Sequence, residues 1–390
     1  MDYAATTPID KSVLEAMMPY LKKEYGNPSS THRFGQKARA AVEQAREQVA
    51  GFLGCAADEV IFTGGATAAN NLAVQGVVKA YNLQRNAGKK AHIVATAIEH
   101  ESVLEPCQQL EKEGLAEVTY VKPQKDGVVL AKDVVAAIKE NTVLVSVQYA
   151  NSEIGTVQPI PEIAETIRGF RKRKNFYPLF HSDCAQAANF FDCRVEKLGV
   201  DLLTLSGHKI YGPKGAGVLF GQKGVAISPL MFGGGQEMGL MSGTENVPAI
   251  VGMGQAAENL KDPRLDLAAI KIRQMRDKLI KVVLVRVPDS ELTGSAEKRL
   301  ANNAHFRFMG VEGRDLALLL DQKGIAVSTG SACSEKSQEP SHVLLALGLA
   351  REAALSSVRV SLGKHTKPEE VQQAVKELAW CVARLRKSGV

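Results

Sequence analysis

The chain has no CxxC pair, and its six cysteines, Cys55, Cys107, Cys184, Cys193, Cys333 and Cys381, are too sparse for a disulfide framework. Reduced thiols and a cytoplasmic location are therefore expected. No apolar run approaches the ~20 residues of a membrane-spanning helix, and the first residues are polar and acidic, so neither membrane insertion nor a signal peptide is expected. Forty-eight basic residues against 42 acidic ones give a net charge of +6, with no basic block interleaved with aromatics. Nucleic acid is thus not an expected partner. No histidine belongs to a metal-spaced cluster, so no metal is expected. The Gly64-Gly65 turn is followed neither by the Lys-Ser or Lys-Thr of a P-loop nor by the dinucleotide fingerprint. Internal repeats and low-complexity tracts are missing as well.

What the chain does have is length and alternation. At 390 residues and 45% hydrophobic content it can build two domains with their own cores. From about Val60 to Phe220 apolar strand-like runs alternate with helical stretches such as Arg39 to Ala50, the pattern of a mostly parallel sheet covered by helices. The glycine cluster from Gly233 to Gly243 and the charged stretch Glu258 to Arg264 read as a crossover. A helix from Leu265 to about Val283 then leads into a smaller α+β region ending in Val371 to Leu385.

Several apolar runs end on polar groups. Val200 to Leu205 runs into Ser206-Gly207-His208-Lys209, where a lysine behind a small polar turn can lose its proton when desolvated and form a Schiff base. The tetrapeptide by itself reads equally as a surface lysine after a strand. Tyr177 to Ser182 ends on Asp183, with Gln186 one turn on; the acid either caps the next helix or holds the ring nitrogen of pyridoxal phosphate protonated. Ala91 to Ala97 leads to Glu99 and His100, and Thr142 to Tyr149 leads to Asn151, Ser152 and Glu153. Open α/β sheets bind ligands where such strands end. Glu59 to Phe62 is broken by Thr63-Gly64-Gly65-Ala66-Thr67 before a helical stretch, an arrangement whose backbone amides, helix dipole and Thr67 hydroxyl suit a phosphate.

Taken in order, a longer set of motifs is similar to one family. These are Asp2 to Pro8, Gly26 to Ser30, Ala66-Thr67, Glu99-His100, Glu153-Ile154-Gly155, Asp183 with Gln186, and Ser206 to Lys209. They continue with Ser242-Gly243-Thr244, Gly330 to Cys333, Glu339-Pro340-Ser341 and Val358 to Gly363. Across nearly its whole length the chain resembles the NifS/IscS-type cysteine desulfurases, fold-type I pyridoxal phosphate enzymes of the class V aminotransferase superfamily. The resemblance implies a large domain over residues 15–255, with a mostly parallel seven-stranded type of sheet between helices. It assigns residues 1–14 and 256–390 to a smaller α+β domain carrying the catalytic cysteine.

The roles that the resemblance implies are specific. Lys209 forms the Schiff base, Asp183 pairs with the pyridinium nitrogen, Gln186 lies near the ring hydroxyl, and His100 covers the ring face as a candidate acid or base. Ala66, Thr67, Ser206 and His208 belong to the cofactor site, with Thr244 reaching in from the other subunit of a homodimer. Asn27 and Arg359 bind the substrate carboxylate, a task that suits the guanidinium fork. Cys333 stands in Ser328 to Gln338, a segment with almost no apolar residue after the cysteine, which reads as an exposed, mobile loop. A thiolate there can take sulfur from L-cysteine, leaving L-alanine, and hand it as a persulfide to an acceptor such as an iron-sulfur scaffold.

Three positions depart from the family pattern. Ser152 stands where an asparagine touching the ring hydroxyl is usual, Met238 and Met241 stand where arginines are usual, and Cys184 replaces a common alanine beside Asp183. As a small hydrophobe Cys184 is expected to pack. Two other readings remain open: a selenocysteine lyase, because Phe232 to Glu237 and Gly243 to Asn246 resemble that relative too, and a cofactor-bound interaction protein drifted from catalysis.

Overall fold

A computed structural model describes residues 1–84, 90–171, 177–330 and 339–388. Seven short strands form the main sheet: β1 (Val60–Thr63), β2 (Ala91–Thr96), β3 (Ala116–Val121), β4 (Thr142–Ser146), β5 (Leu179–Asp183), β6 (Leu202–Ser206) and β7 (Gly217–Gly221). Their spatial order is β1-β7-β6-β5-β4-β2-β3. β2 pairs parallel with β3 and β4, as do β4 with β5 and β5 with β6. β7 is antiparallel to both β1 and β6, so every other strand points the same way. Their carboxyl ends, Thr63, Thr96, Ser146, Asp183 and Ser206, therefore share one edge of the sheet, joined there by Gly217 at the start of β7.

Burial on both faces explains why these strands read as continuous apolar runs. Successive side chains of a strand point to opposite faces, and β1 divides accordingly. Val60 and Phe62 join one core, and Ile61 joins the other. Two helices, α1 (Lys11–Lys22) and α2 (Arg33–Leu53), pack on the first face with the helices Ile160–Arg171 and Val247–Asn259. On the second face lie α3 (Ala66–Gln84) and α4 (Glu101–Lys112). β3 was not evident as a strand because it lies at the edge of the sheet and only its end residues Ala116 and Val121 are buried.

A third core binds β8 (Ser290–Leu292), β9 (Asn303–Phe308) and β10 (Ser357–Ser361) to the helices Arg264–Arg286, Gly313–Gln322 and Pro368–Ser388. The three strands form one antiparallel sheet in the order β10-β9-β8. The N-terminus joins both units. Asp2 bridges to Ser361, and the Ala4 amide donates to Ser361 Oγ at 2.9 Å. Val13 and Met17 of α1 then pack into the core of the large sheet. Among the described residues no helix is long and apolar enough to cross a membrane, and no cluster of His, Cys, Asp and Glu has metal-site geometry.

Candidate active site

A cavity of about 540 Å³ opens at the carboxyl edge of the large sheet. Ten of the residues singled out by sequence line it: Ala66, Thr67, His100, Ser152, Asp183, Gln186, Ser206, His208, Lys209 and Arg359. They come from six separate segments, and the sheet edge gathers them.

Lys209 is presented by local geometry. β6 ends at Ser206, and a 3-10 turn over Gly207–Lys209 breaks the strand direction and carries the amine into the cavity. Lys209 Nζ donates to the carbonyls of Ala4 at 2.6 Å and Ala5 at 2.8 Å. The same N-terminal segment grips the turn: the Thr7 amide and hydroxyl donate to the His208 carbonyl at 2.9 and 3.0 Å. Gln186 Nε2 also donates to the Ala4 carbonyl, at 3.0 Å. Residues 4–6 thus form one wall of the site, with Thr7 anchoring it to the turn.

Asp183 closes the sheet edge at the end of β5. Its Oδ1 accepts from the Ala185 amide at 2.9 Å and its Oδ2 from Asn70 Nδ2 at 2.7 Å. His100 is the N-cap of α4, with Nδ1 accepting from the Ser102 amide at 3.1 Å and lying 2.8 Å from Ser102 Oγ. Burial lowers the pKa of His100, opposed by the negative charge of Asp183 and reinforced by the nearby Lys209.

The anion cradle lies between β1 and α3. Gly65 has φ 141, which favours glycine, and a Cβ built on Gly64 or Gly65 would meet no atom within 4 Å. The turn therefore faces open space just where the helix dipole favours negative charge. Behind it the packing is tight: a Cβ on Gly217 would come within 2.4 Å of the Gly65 carbonyl carbon and 2.8 Å of the Ala66 nitrogen. Only glycine lets β7 support the turn this closely. Lys214 and Gly215 complete the lining beside Lys209. Burial, then the charges of Lys209 and Lys214, push His208 down to about 4, so its imidazole is neutral at pH 7.

Arg359 enters from β10 and is 1% exposed. Its Nη1 donates to the Ser152 carbonyl at 2.9 Å and its Nη2 to Asp2 Oδ1 at 2.9 Å. Two buried carboxyls lie behind this region. Burial pushes Glu99 up to about 8 against its bonds from Thr96 and Gln148. It also raises Glu153 to about 7 against the Ser341 hydroxyl, which donates to Glu153 Oε2 at 2.6 Å, and the charge of Arg359.

Other residues from the sequence reading fall elsewhere. Asn27 does not line the cavity; its Oδ1 accepts from the Ser29 amide at 2.9 Å in a local turn. Thr244 does not line this chain's own cavity either. Cys333 lies outside the described residues. Two histidines that do not line this cavity serve locally: His32 caps α2, and His342 Nε2 lies 2.9 Å from the Glu99 carbonyl. Cys184 is fully buried, and burial holds its thiol well above the ordinary range, in keeping with a packing role. Met238 is more than half exposed, at φ 58.

The sequence reading missed Asn70 and Ser102, which sit inside helical stretches with no motif signal of their own. The N-terminal wall was signalled only as a motif of small and hydroxyl residues.

Comparison with known proteins covers nearly the whole chain. A family model described as Aminotransferase class-V matches residues 1–374. Cysteine desulfurase IscS of Dictyoglomus turgidum is 44% identical over 386 residues, covering 99% of this chain and 95% of its own. A solved NifS-like protein shares the fold with a TM-score of 0.89 at 36% identity, over 98% of each chain. The structure of SspA in complex with cysteine gives a TM-score of 0.79 at 36% identity, over 94% of this chain and 99% of its own.

Proposed function

The chain belongs to the aminotransferase class-V family, and on that premise we infer that it is a cysteine desulfurase, converting L-cysteine to L-alanine and passing the sulfur on. One observation carries the reading: an amine, a carboxylate and a guanidinium, those of Lys209, Asp183 and Arg359, face a single cavity. The family is pyridoxal phosphate-dependent, and the donor set here fits that group. An open glycine turn at a helix N-terminus suits its phosphate, a carboxylate suits its ring nitrogen, and an amine suits its aldehyde.

In this reading Lys209 would anchor the cofactor and Asp183 would pair with its ring nitrogen. Gln186 and Ser152 would lie near the ring hydroxyl and His100 over the ring face. Ala66, Thr67, Ser206 and His208 would cradle the phosphate, with Thr244 of a second copy completing the site in a homodimer. When bound, pyridoxal phosphate supplies an electron-withdrawing ring that acidifies the Cα–H of the amino acid. Arg359 holds the substrate carboxylate with the donors of its fork left by Ser152 and Asp2, while Asn27, which does not line this cavity, is not needed for that contact. Lys209 Nζ, a base when neutral, takes the Cα proton and returns one to the product. Cys333 receives the sulfur as a persulfide, so that L-cysteine and the thiol become L-alanine and Cys333–S–SH with atoms balanced. A sulfur-acceptor protein such as an iron-sulfur scaffold then removes it, in the cytoplasm.

The test is release of alanine and sulfide from L-cysteine with excess dithiothreitol, comparing the holoenzyme with its Cys333→Ser variant. Equal alanine and sulfide from the parent, and a loss of at least about 100-fold in the variant, are expected. A variant as active as the parent would remove Cys333 from the mechanism. A second expectation concerns the cradle. Gly217→Ala forces a methyl against the Gly65 and Ala66 backbone, and retention of pyridoxal phosphate should fall at least about tenfold, the value of one displaced hydrogen bond. Fluorescence titration of apoenzyme reads this directly, and unchanged affinity would sink the cradle assignment.

A further inference from the structure

Behind the cavity, one buried amide connects the group assigned to the ring nitrogen of the cofactor with the group assigned to its ring face. Asn70, on the second turn of α3, is fully buried. Its Nδ2 donates one hydrogen to Asp183 Oδ2 at 2.7 Å and the other to Ser102 Oγ at 2.8 Å. The amide cannot be turned round, because its oxygen would then oppose the Asp183 carboxylate. Its Oδ1 has no partner among the described residues.

The polarity of this fork propagates in one direction. Ser102 Oγ accepts from Asn70, so its single hydrogen is free for His100 Nδ1 at 2.8 Å. The Ser102 backbone N–H, which can only donate, points at the same nitrogen from 3.1 Å. Two donors on Nδ1 leave no room for a proton there, and the neutral ring carries its hydrogen on Nε2. Burial disfavours the doubly protonated ring.

We propose that Asn70 is a positioning residue for the desulfurase reaction, its amide holding Asp183 as a hydrogen-bond acceptor and, through Ser102, fixing His100 in the Nε2–H tautomer. The inference rests on the reading of Asp183 and His100 as groups that flank the cofactor. His100 then offers a bound group a hydrogen from Nε2, and it acts as a base there only if the Ser102 link is broken. Asp183 keeps two donors, from Asn70 at 2.7 Å and the Ala185 amide at 2.9 Å, which hold its carboxyl group in one orientation at the end of β5, where the ring nitrogen would meet it.

The test reads the tautomer directly. Nitrogen-15 NMR of histidine-labelled holoenzyme, with His100 assigned by the signal lost in His100→Gln, should show an unprotonated Nδ1 in the parent. Ser102→Ala keeps the backbone donor and should shift the tautomer ratio about tenfold toward Nδ1–H, as expected for one lost hydrogen bond. Asn70→Leu should shift it in the same direction and also lower pyridoxal phosphate retention about tenfold, because Asp183 loses a donor. The double variant should shift the ratio no further than Asn70→Leu, since both act through one link. A parent-like tautomer in both single variants overturns the proposal, as does an Nδ1–H ring in the parent. No substrate is present in this measurement. A chain that failed to release alanine from cysteine would overturn the activity and leave the tautomer result standing.

Discussion

Lys209→Ala is expected to abolish alanine release from L-cysteine, with kcat lowered at least about 10⁴-fold. The effect is large because this amine has two tasks that no neighbour can assume: anchoring the cofactor and moving the Cα proton. Lys214 also lines the cavity, but it stands beyond the 3-10 turn, on the cradle side, without the two N-terminal carbonyls that hold Lys209 Nζ. Small primary amines added to the variant should restore part of the rate, because they replace the missing base without restoring the side chain. Rescue separates a chemical defect from a folding defect. Activity above about 1% of the parent without added amine would remove Lys209 from the base role.

Arg46→Ala is expected to cost about 3–5 kcal/mol of folding stability, the range for breaking a buried ion pair from one side. Arg46, on α2, meets Glu237 in a two-point contact, Nη1 to Oε2 and Nη2 to Oε1, each 2.8 Å long. Nη1 also donates to the Val60 carbonyl at 2.7 Å, while the Phe62 amide donates to Glu237 Oε2 at 2.8 Å. Both side chains are about a tenth exposed or less. The pair thus pins the glycine-rich crossover to β1, the strand that delivers the Gly64-Gly65 cradle. It also fixes an unusual backbone, with Glu237 at φ 46 and Met238 at φ 58, left-handed conformations that residues other than glycine rarely adopt. Losing Arg46 leaves a buried carboxylate with the Phe62 amide as its remaining charge-stabilising donor among these contacts. Replacing both partners by leucine should cost less than Arg46→Ala, because no unpaired charge remains. Urea unfolding of the three proteins decides the matter. A loss below about 1 kcal/mol in Arg46→Ala would mean that the pair is of the weak, surface kind.

Legibility in the sequence followed physical locality. The buried strands β2, β4, β5 and β6 were readable because parallel strands covered on both faces need unbroken apolar runs, and their polar last residues marked the ligand edge. β3, an edge strand partly open to solvent on both faces, lacked that signal. The reversal of β7 left no mark in composition, because an apolar run reads the same in both directions. Lys209, Asp183 and the Gly64-Gly65 turn were visible as chemistry placed directly at strand ends. Asn70 was not, since it lies in Ala-Ala-Asn-Asn at the start of a helix and gains its meaning from the rotation of α3 against β5.

The sequence by itself determined the buried strands and their covering helices, the sheet class and the residue types at its carboxyl edge, because each depends on neighbours a few positions away. Only the tertiary structure decided which of them touch. Asp2 and Arg359 are 357 positions apart, Lys209 and Ala4 205, Arg46 and Glu237 191, and Asn70 and Asp183 113. Contacts at such separation carry no periodicity or spacing in the chain. They are set when helices and sheets pack around common cores, and it is that packing which holds an amine, a carboxylate and a guanidinium in one cavity.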